Sequence, residues 1–596
     1  MRLRIALIFS IFFFQNTSTQ TINTSLKTTV RDISSLDIGF NRRSDKGNWW
    51  SDTSFKNLVA EMNPDIVRYP GGTQANYWDW KTGKFLENTD KNWNNKEVLK
   101  IPKFINNLPT ATKIVYVVNM ARPTPATGIS VNTTEQVLKS DATLNLKIDN
   151  ILEAIQEFKD NGKLPYAIEL GNEFYFGNEE SAIYHIVEEN GKFHGGWDVV
   201  NNKPYEANNK KEATVFTAKF YLKHCKTTVA KIKAKYPNMK FALTTTKSGN
   251  GTSAREKWNN TIFDELNSNS EYATLKNDIY AVTQHHYLND NYGVQTKIND
   301  ITSSKVAIAE GIKYPTDKQA DYNMVPNNYK IWYTEYGEVK EIAEETWASA
   351  VRYAAFAYSW LSLGDKVGQL DWHFISDNNV VKTGSPMKLA PVGIAAKLVS
   401  QAFSTMTEMQ EIQFTNNTIS VNGVKSLYGY KLKNDKKETL LIINTNNTDF
   451  STLNFSNLFT YTGQPKKTQF YSDTPYVSNV YDGHSNIVSS FGDVNNSLEI
   501  KNFSLTVIES ENTALSTDNY ATNKALIYPN PASNTVYIKT ETTLKLITIY
   551  DISGKKVAEF RKPLDSKINI ENLNSGMYFI KIDTEKNSVF RKLIKK

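Results

Sequence analysis

Two glutamates follow runs that read as buried strands: Ala167-Ile168-Glu169-Leu170-Gly171-Asn172-Glu173 and Ile331-Trp332-Tyr333-Thr334-Glu335-Tyr336-Gly337. A carboxylate at the C-terminal end of a strand in a parallel barrel is held rigidly and faces the mouth where substrate sits. Two such groups from separate strands can flank one glycosidic bond, about 5 to 5.5 Å apart, one ionised for attack and one protonated for the leaving oxygen. Other residues could serve the same chemistry. Arg68-Tyr69-Pro70-Gly71-Gly72-Thr73 pairs a cation that can keep a carboxylate ionised with a turn that bends sharply. Asn119 ends the run Val117-Val118-Asn119 at a strand end, and Arg122 beyond it suits either an acidic substrate or a solvated rim. In Asn76-Tyr77-Trp78-Asp79-Trp80 the aromatics suit sugar stacking and packing under a loop equally. In Gln284-His285-His286-Tyr287 the adjacent histidines point to opposite faces of a strand, which prevents joint chelation. There is no cluster of zinc spacing elsewhere, so neither metal nor cofactor is expected.

These residues need a scaffold that brings strand ends together. Short apolar runs at 37–40, 66–69, 113–118, 166–170, 240–245, 279–284, 330–334 and 367–372 alternate with helical-period segments such as 143–160, 213–235 and 344–362. That pattern predicts an α/β fold, a (β/α)8 TIM barrel over 35–403, with a doubly wound open sheet as the alternative. A polar lead-in occupies 21–36. From 404 to 511 short alternating strands with Asn-rich turns, among them 418–421, 439–443 and 503–508, predict a β-sandwich. A polar linker, 512–523, precedes a small all-β domain over 524–596. The insert 174–211 is expected to wall the leaving-group side of the cleft.

At 596 residues the chain exceeds what one core supports, so several domains are expected. Arg2 and Arg4, the apolar run 5–14 and a polar stretch to residue 19 make residues 1–20 a secretory signal peptide. The single cysteine, Cys225, excludes an internal disulfide and reads as a buried helix residue. The net charge of +7 is misleading: residues 523–596 hold 14 Lys+Arg against 7 Asp+Glu, and the leader holds two arginines. The remaining body is close to −2, so no nucleic-acid partner is expected.

Across roughly 35–510 the motifs resemble the clan A retaining glycoside hydrolases, and most nearly the α-L-arabinofuranosidase, β-xylosidase and heparanase-type β-glucuronidase families. Asn172-Glu173 matches the clan's Asn-Glu pair at the end of strand four, and Glu335 its glutamate at the end of strand seven. The resemblance implies Glu173 as acid/base and Glu335 as nucleophile. It further implies Arg68 and Tyr287 bonding Glu335, Asn172 and His285 contacting substrate, and Trp372 of Asp371-Trp372-His373-Phe374 flooring the subsite at the cleaved bond. The motifs Ile527-Tyr528-Pro529-Asn530-Pro531, Asp551-Ile552-Ser553-Gly554-Lys555 and Leu573-Asn574-Ser575-Gly576-Met577-Tyr578 resemble the C-terminal sorting domain of type IX secretion substrates in Bacteroidetes. This resemblance implies transit through that machinery across the outer membrane, followed by release or surface attachment. The expected function is a secreted retaining glycosidase acting on a plant or algal polysaccharide or its oligosaccharides. The alternatives are an inactive carbohydrate-binding barrel and a polysaccharide lyase using the His-His-Tyr run.

Overall fold

The computed structural model describes residues 21–42, 49–85, 99–120, 141–177, 186–198, 200–247, 254–288, 298–337, 346–373, 375, 380–382, 386–478, 486–513, 525–540, 543–552, 554–561, 566–585 and 588–596. The signal peptide expected over 1–20, Arg122, Phe374 and most of the 512–523 linker lie outside these. Eight parallel strands close into a barrel: β1 Asp37–Asn41, β2 Ile66–Tyr69, β3 Lys113–Val117, β4 Ala167–Leu170, β5 Lys240–Thr244, β6 Ile279–Tyr287, β7 Lys330–Gly337 and β8 Val367–His373. Helices follow them in turn: α1 Thr53–Met62, α2 Ile101–Asn106, α3 Asp141–Asp160, α4 Lys210–Lys235, α5 Ala254–Ser268, α6 Ile301–Asp317, α7 Trp347–Ser362 and α8 Pro391–Phe403. Local chemistry marks several helix starts. Asp52, Asn209, Asp300 and Thr346 each accept a bond from a first-turn amide, the N-terminal donors a helix cannot satisfy itself.

The barrel interior changes character along its axis. Near the N-terminal ends of the strands, Ile66, Val115, Ala167, Ala242, Ala281 and Trp332 form a buried apolar cluster. Alanines on three consecutive strands leave room for the Trp332 indole, so this layer is filled rather than hollow. The next inward positions, Arg68 on β2 and Glu169 on β4, are charged and fully buried.

α7 is buried all round, which a surface helix would not be. Its outer side carries the sandwich: the Tyr358 ring lies 4.6 Å from Tyr430, and Trp347 Nε1 donates to the Phe503 carbonyl at 2.6 Å. Barrel and sandwich accordingly share one compact unit, spanning Met1–Thr460 and Gln464–Ser510. Two expectations for this region are corrected. Thr21–Leu26, read as part of a polar lead-in, is a strand of the sandwich, pairing antiparallel with Glu408–Phe414 and parallel with Phe450–Asn454. The signal was present, because Ile22 and Thr24 alternate into the core at the period of a strand. The run 418–421, read as a strand, makes only the bridge Ile419 to Lys425, and Ile419 is exposed. It lacks a second buried position to hold it against a sheet.

A second compact unit, Tyr461–Gly463 with Glu511–Lys596, holds a three-stranded and a four-stranded antiparallel sheet around Ile547, Ile549, Ile580, Ile582 and Leu593. Among the described residues no helix is long and apolar enough to cross a membrane.

Asp65, just before β2, accepts from the Ile38 amide at 3.1 Å. Burial, reinforced by the neighbouring Asp37 charge, outweighs that bond and pushes its carboxyl up to about 6. Between about pH 4 and 6 the folded chain therefore binds a proton that the unfolded chain has lost, so stability falls as pH rises through that window. Asp65→Asn keeps the acceptor and removes the titration. It should gain about 2–3 kcal/mol over the native barrel at pH 7 and little at pH 4. Thermal unfolding at both pH values checks this, and an equal shift at both would contradict it.

Candidate active site

Arg68 is the centre of the site. Its guanidinium has no exposed surface and all five N–H donors are occupied. Nε and Nη2 hold the Glu169 carboxylate at 2.6 and 2.8 Å, and Nη1 reaches Glu335 Oε1 at 2.7 Å. Nη1 also donates to Asn41 Oδ1 at 3.1 Å, and Nη2 to Asn172 Oδ1 at 2.7 Å. Neighbouring Tyr69 points the other way, stacking on Phe104 of α2 at 4.1 Å, so pleat alternation sends Arg68 to the barrel axis.

Glu335 reaches that axis only through an irregularity in β7. Thr283 pairs with Trp332 but His285 with Glu335, and on the other side Tyr333 pairs with Leu370 but Tyr336 with Trp372. In both ladders β7 carries one extra residue, a bulge between Tyr333 and Glu335. Trp332 faces inward and Tyr333 outward onto Trp360 of α7, so unbroken alternation would turn Glu335 out as well. The bulge reverses the parity: Glu335 faces the axis and Tyr336 packs outward on Tyr353 and Phe356. β6 needs no such device, since Ala281, His285 and Tyr287 share one parity. His286 goes to the opposite face, beside Tyr333 and Trp360.

Glu173 sits on the tight turn after β4. Gly171 there has φ +85°, and a Cβ on it would lie 2.1 Å from the Phe174 ring. Glu173 itself is left-handed at φ 52°, a conformation a glutamate holds only when its surroundings impose it. Its Oε1 receives the Tyr175 hydroxyl at 2.9 Å and lies 2.8 Å from His285 Nδ1. On the opposite side, Tyr287 donates to Glu335 Oε2 at 2.5 Å. One carboxylate oxygen from each glutamate and one His285 nitrogen lie within 4.8 Å of one another. Gly71, at φ +80°, brings the Pro-Gly-Gly turn against Asn41, since a Cβ there would lie 2.3 Å from Asn41 Oδ1.

Burial alone would push the Glu335 carboxyl up. The positive charges of His285, His373 and Arg68, with the Tyr287 hydrogen bond, outweigh it and hold the group well below the usual carboxylate range. Burial likewise opposes the His285 imidazolium, but Glu335 and Glu173 outweigh it and raise its pKa above the ordinary value. Asp371, also buried, is pushed well up by desolvation, and its Oδ2 accepts from Gln369 Nε2 at 2.6 Å.

Of the expected site residues, the structure brings together Arg68, Asn172, Glu173, His285, Tyr287 and Glu335. Asn119 is buried at the end of β3 with its amide 3.4 Å from the Trp78 carbonyl. Trp78 is buried against Tyr69, while Trp80 is partly exposed. Trp372 is a correction. It has no exposed surface and packs against Tyr353 and Tyr336 on the helix side, because inward positions on β8 fall to Gln369, Asp371 and His373. His373 takes the place expected of Trp372, with Nδ1 2.9 Å from Asn41 Nδ2 and 3.5 Å from Glu335 Oε2. The insert after β4 forms a three-stranded sheet that lies on α4, where a Cβ on Gly195 would meet Thr217. Sequence reasoning missed the roles of Glu169, Asn41 and His373. A usable signal existed for Glu169: it shares the parity of Ala167, and a buried carboxylate in a strand demands a cation of matching parity.

The fold of the barrel and the β domain packed on it is shared with several solved arabinofuranosidases. The chain is similar in fold to the α-L-arabinofuranosidase of Thermotoga maritima, with TM-score 0.53, 15% identity, and coverage of 82% of this chain and 99% of that one. It is similar also to a family 51 α-L-arabinofuranosidase of Bifidobacterium longum (TM-score 0.54, 14% identity, 82% and 99%) and to one of Xanthomonas axonopodis pv. citri (0.55, 10%, 82% and 99%). Residues 526–596 match the family described as secretion system C-terminal sorting domain, which marks the chain for export across the outer membrane. At the level of sequence, no curated protein matches the chain.

Arg68→Met should strand two buried carboxylates and cost the barrel about 3–5 kcal/mol at pH 7. Glu335 would then take up a proton more readily, so the deficit should shrink as pH falls towards 4. Thermal unfolding against pH checks this, and a deficit independent of pH would contradict it.

Proposed function

We propose that the barrel is a retaining glycoside hydrolase that cleaves a plant or algal polysaccharide, or its oligosaccharides, by double displacement outside the cell. The observation that carries this reading is the meeting of Glu173 and Glu335 across one imidazole, within 4.8 Å, in unlike surroundings. Glu335, held ionised, attacks the anomeric carbon, and the leaving oxygen takes a proton from Glu173. Glu173 then removes a proton from water as that water cleaves the glycosyl ester on Glu335.

The hydrogen bonds support these roles atom by atom. Glu173 Oε1 already accepts from Tyr175 and faces His285, so the transferable proton belongs on Oε2. Arg68 fixes the Asn172 amide by its oxygen, and Asn172 Nδ2 is buried with no partner among the described residues. A sugar hydroxyl beside the anomeric carbon would satisfy that donor, at a site where an unmade bond costs about 1–3 kcal/mol. Tyr287 and His285 are engaged by the two glutamates, which disfavours their use as a lyase base.

Glu173→Ala should turn over poorly on natural glycosides and accumulate a glycosyl-enzyme with nitrophenyl substrates. Azide, which needs no base, should restore turnover and give a glycosyl azide of the substrate's own anomeric configuration. Nitrophenyl α-L-arabinofuranoside, β-xyloside and β-glucuronide form the first panel. An inverted azide product, or none from a substrate the native enzyme cleaves, would remove Glu173 from this role. His285→Gln deletes a cation beside Glu335, so its carboxyl should protonate more readily and the acid limb of kcat/KM should move to higher pH. An unmoved limb would show that His285 does not tune the nucleophile.

A further inference from the structure

At the N-terminal ends of the barrel strands, away from the two glutamates, a cavity of about 940 Å³ opens between the barrel base and the sandwich. Its lining carries six charged side chains. Four close on one another: Arg31 with Asp365 at 2.6 Å, and Lys27 with Glu411 at 2.7 Å. The other two, Lys330 and Lys366, bond only main-chain carbonyls. Lys330 Nζ donates to Asp365 O at 2.8 Å, and Lys366 Nζ to Tyr322 O and Val325 O at 2.7 and 2.6 Å. Neither has a carboxylate within ion-pair distance among the described residues: Lys330 acts on Asp32 only from beyond that distance, and Lys366 Nζ lies 4.3 Å over the Tyr322 ring. Burial already disfavours the Lys366 charge.

Around these lysines the wall suits a hydroxylated ligand. Tyr280 is half-buried, with Lys240 Nζ 4.1 Å from its ring, adding positive charge behind it. Asn277 and Asn328 stand exposed at the rim, with amide donors and acceptors. We infer that this cavity is a second binding site, distinct from the catalytic cleft, for an acidic saccharide bearing sulfate or carboxylate groups. Lysines without a carboxylate partner meet the anionic substituents as point charges, and the tyrosine and asparagines meet ring faces and hydroxyls. Export places the site among extracellular glycans, where such chains occur, and away from the cell's nucleotides. A chain held there would keep the enzyme on an acidic polysaccharide matrix independently of the bond being cleaved.

Titration calorimetry on the whole protein tests this with three probes: sulfated carrageenan oligosaccharides, oligogalacturonate and neutral xylohexaose. Either acidic probe, or both, should bind at low salt, the preference telling sulfate from carboxylate. The neutral probe should bind that site at least about tenfold more weakly. Lys330→Gln with Lys366→Gln should weaken acidic binding about tenfold or more, as should 0.5 M salt, with nitrophenyl glycoside turnover unchanged. Should the double variant fail to fold, Lys330→Gln alone should give about a threefold loss. Acidic binding indifferent to these lysines, equal binding of the neutral probe, or no acidic binding to folded protein would each overturn the proposal. None of these results touches the catalytic reading, which turnover tests separately.

Discussion

The arrangement depends on one buried cation. Arg68 has two carboxylates and two amides around it and no exposed surface, so each partner is fixed by a donor that points at it. Taking a guanidinium and two carboxylates out of water costs several kcal/mol per ion unless every donor finds an acceptor. That requirement explains why Glu169, remote from any leaving group, occupies a barrel position where an apolar residue would pack more simply. It takes two of the five donors, and Glu335 then receives a single bond from Arg68. The nucleophile candidate is oriented while its second oxygen stays under the influence of Tyr287, His285 and His373.

Around that cation the scaffold makes local departures from regularity. The β7 bulge turns Glu335 inward, and the left-handed Glu173 after Gly171 turns the second carboxylate towards it. Both departures sit at strand ends facing the site, above the apolar layer built on Trp332 and three alanines. The packed layer below and α7 outside hold them in place.

Much of this was legible in the sequence. The eight strands were readable because each is a short apolar run bounded by turn chemistry, and the strand-end glutamates followed from their place in those runs. Side-chain direction was less accessible. Alternation correctly separated His285 from His286, but it would have turned Glu335 outward, because a bulge is decided by pairing on both neighbours and leaves no mark in composition. The same limit explains Trp372. A tryptophan at a strand end suggests a sugar platform, yet the parity set by Gln369 and Asp371 gives the inward place to His373 and sends Trp372 to the helices. The sandwich strand at Thr21–Leu26 was hidden by its polar residues, although its buried positions alternate.

Export falls to residues 526–596, and the chemistry proposed for the two carboxylates falls to the barrel. We propose that Arg68 and its partners prepare Glu335 to form a covalent bond to sugar. Incubation with a 2-deoxy-2-fluoro glycoside of a cleaved substrate, followed by peptide mass spectrometry, tests it directly, because fluorine slows breakdown of the ester and lets it accumulate. One glycosyl label is expected, on Glu335, and it should be lost in Arg68→Met. A label on any other residue, or inactivation with no covalent adduct, would contradict it.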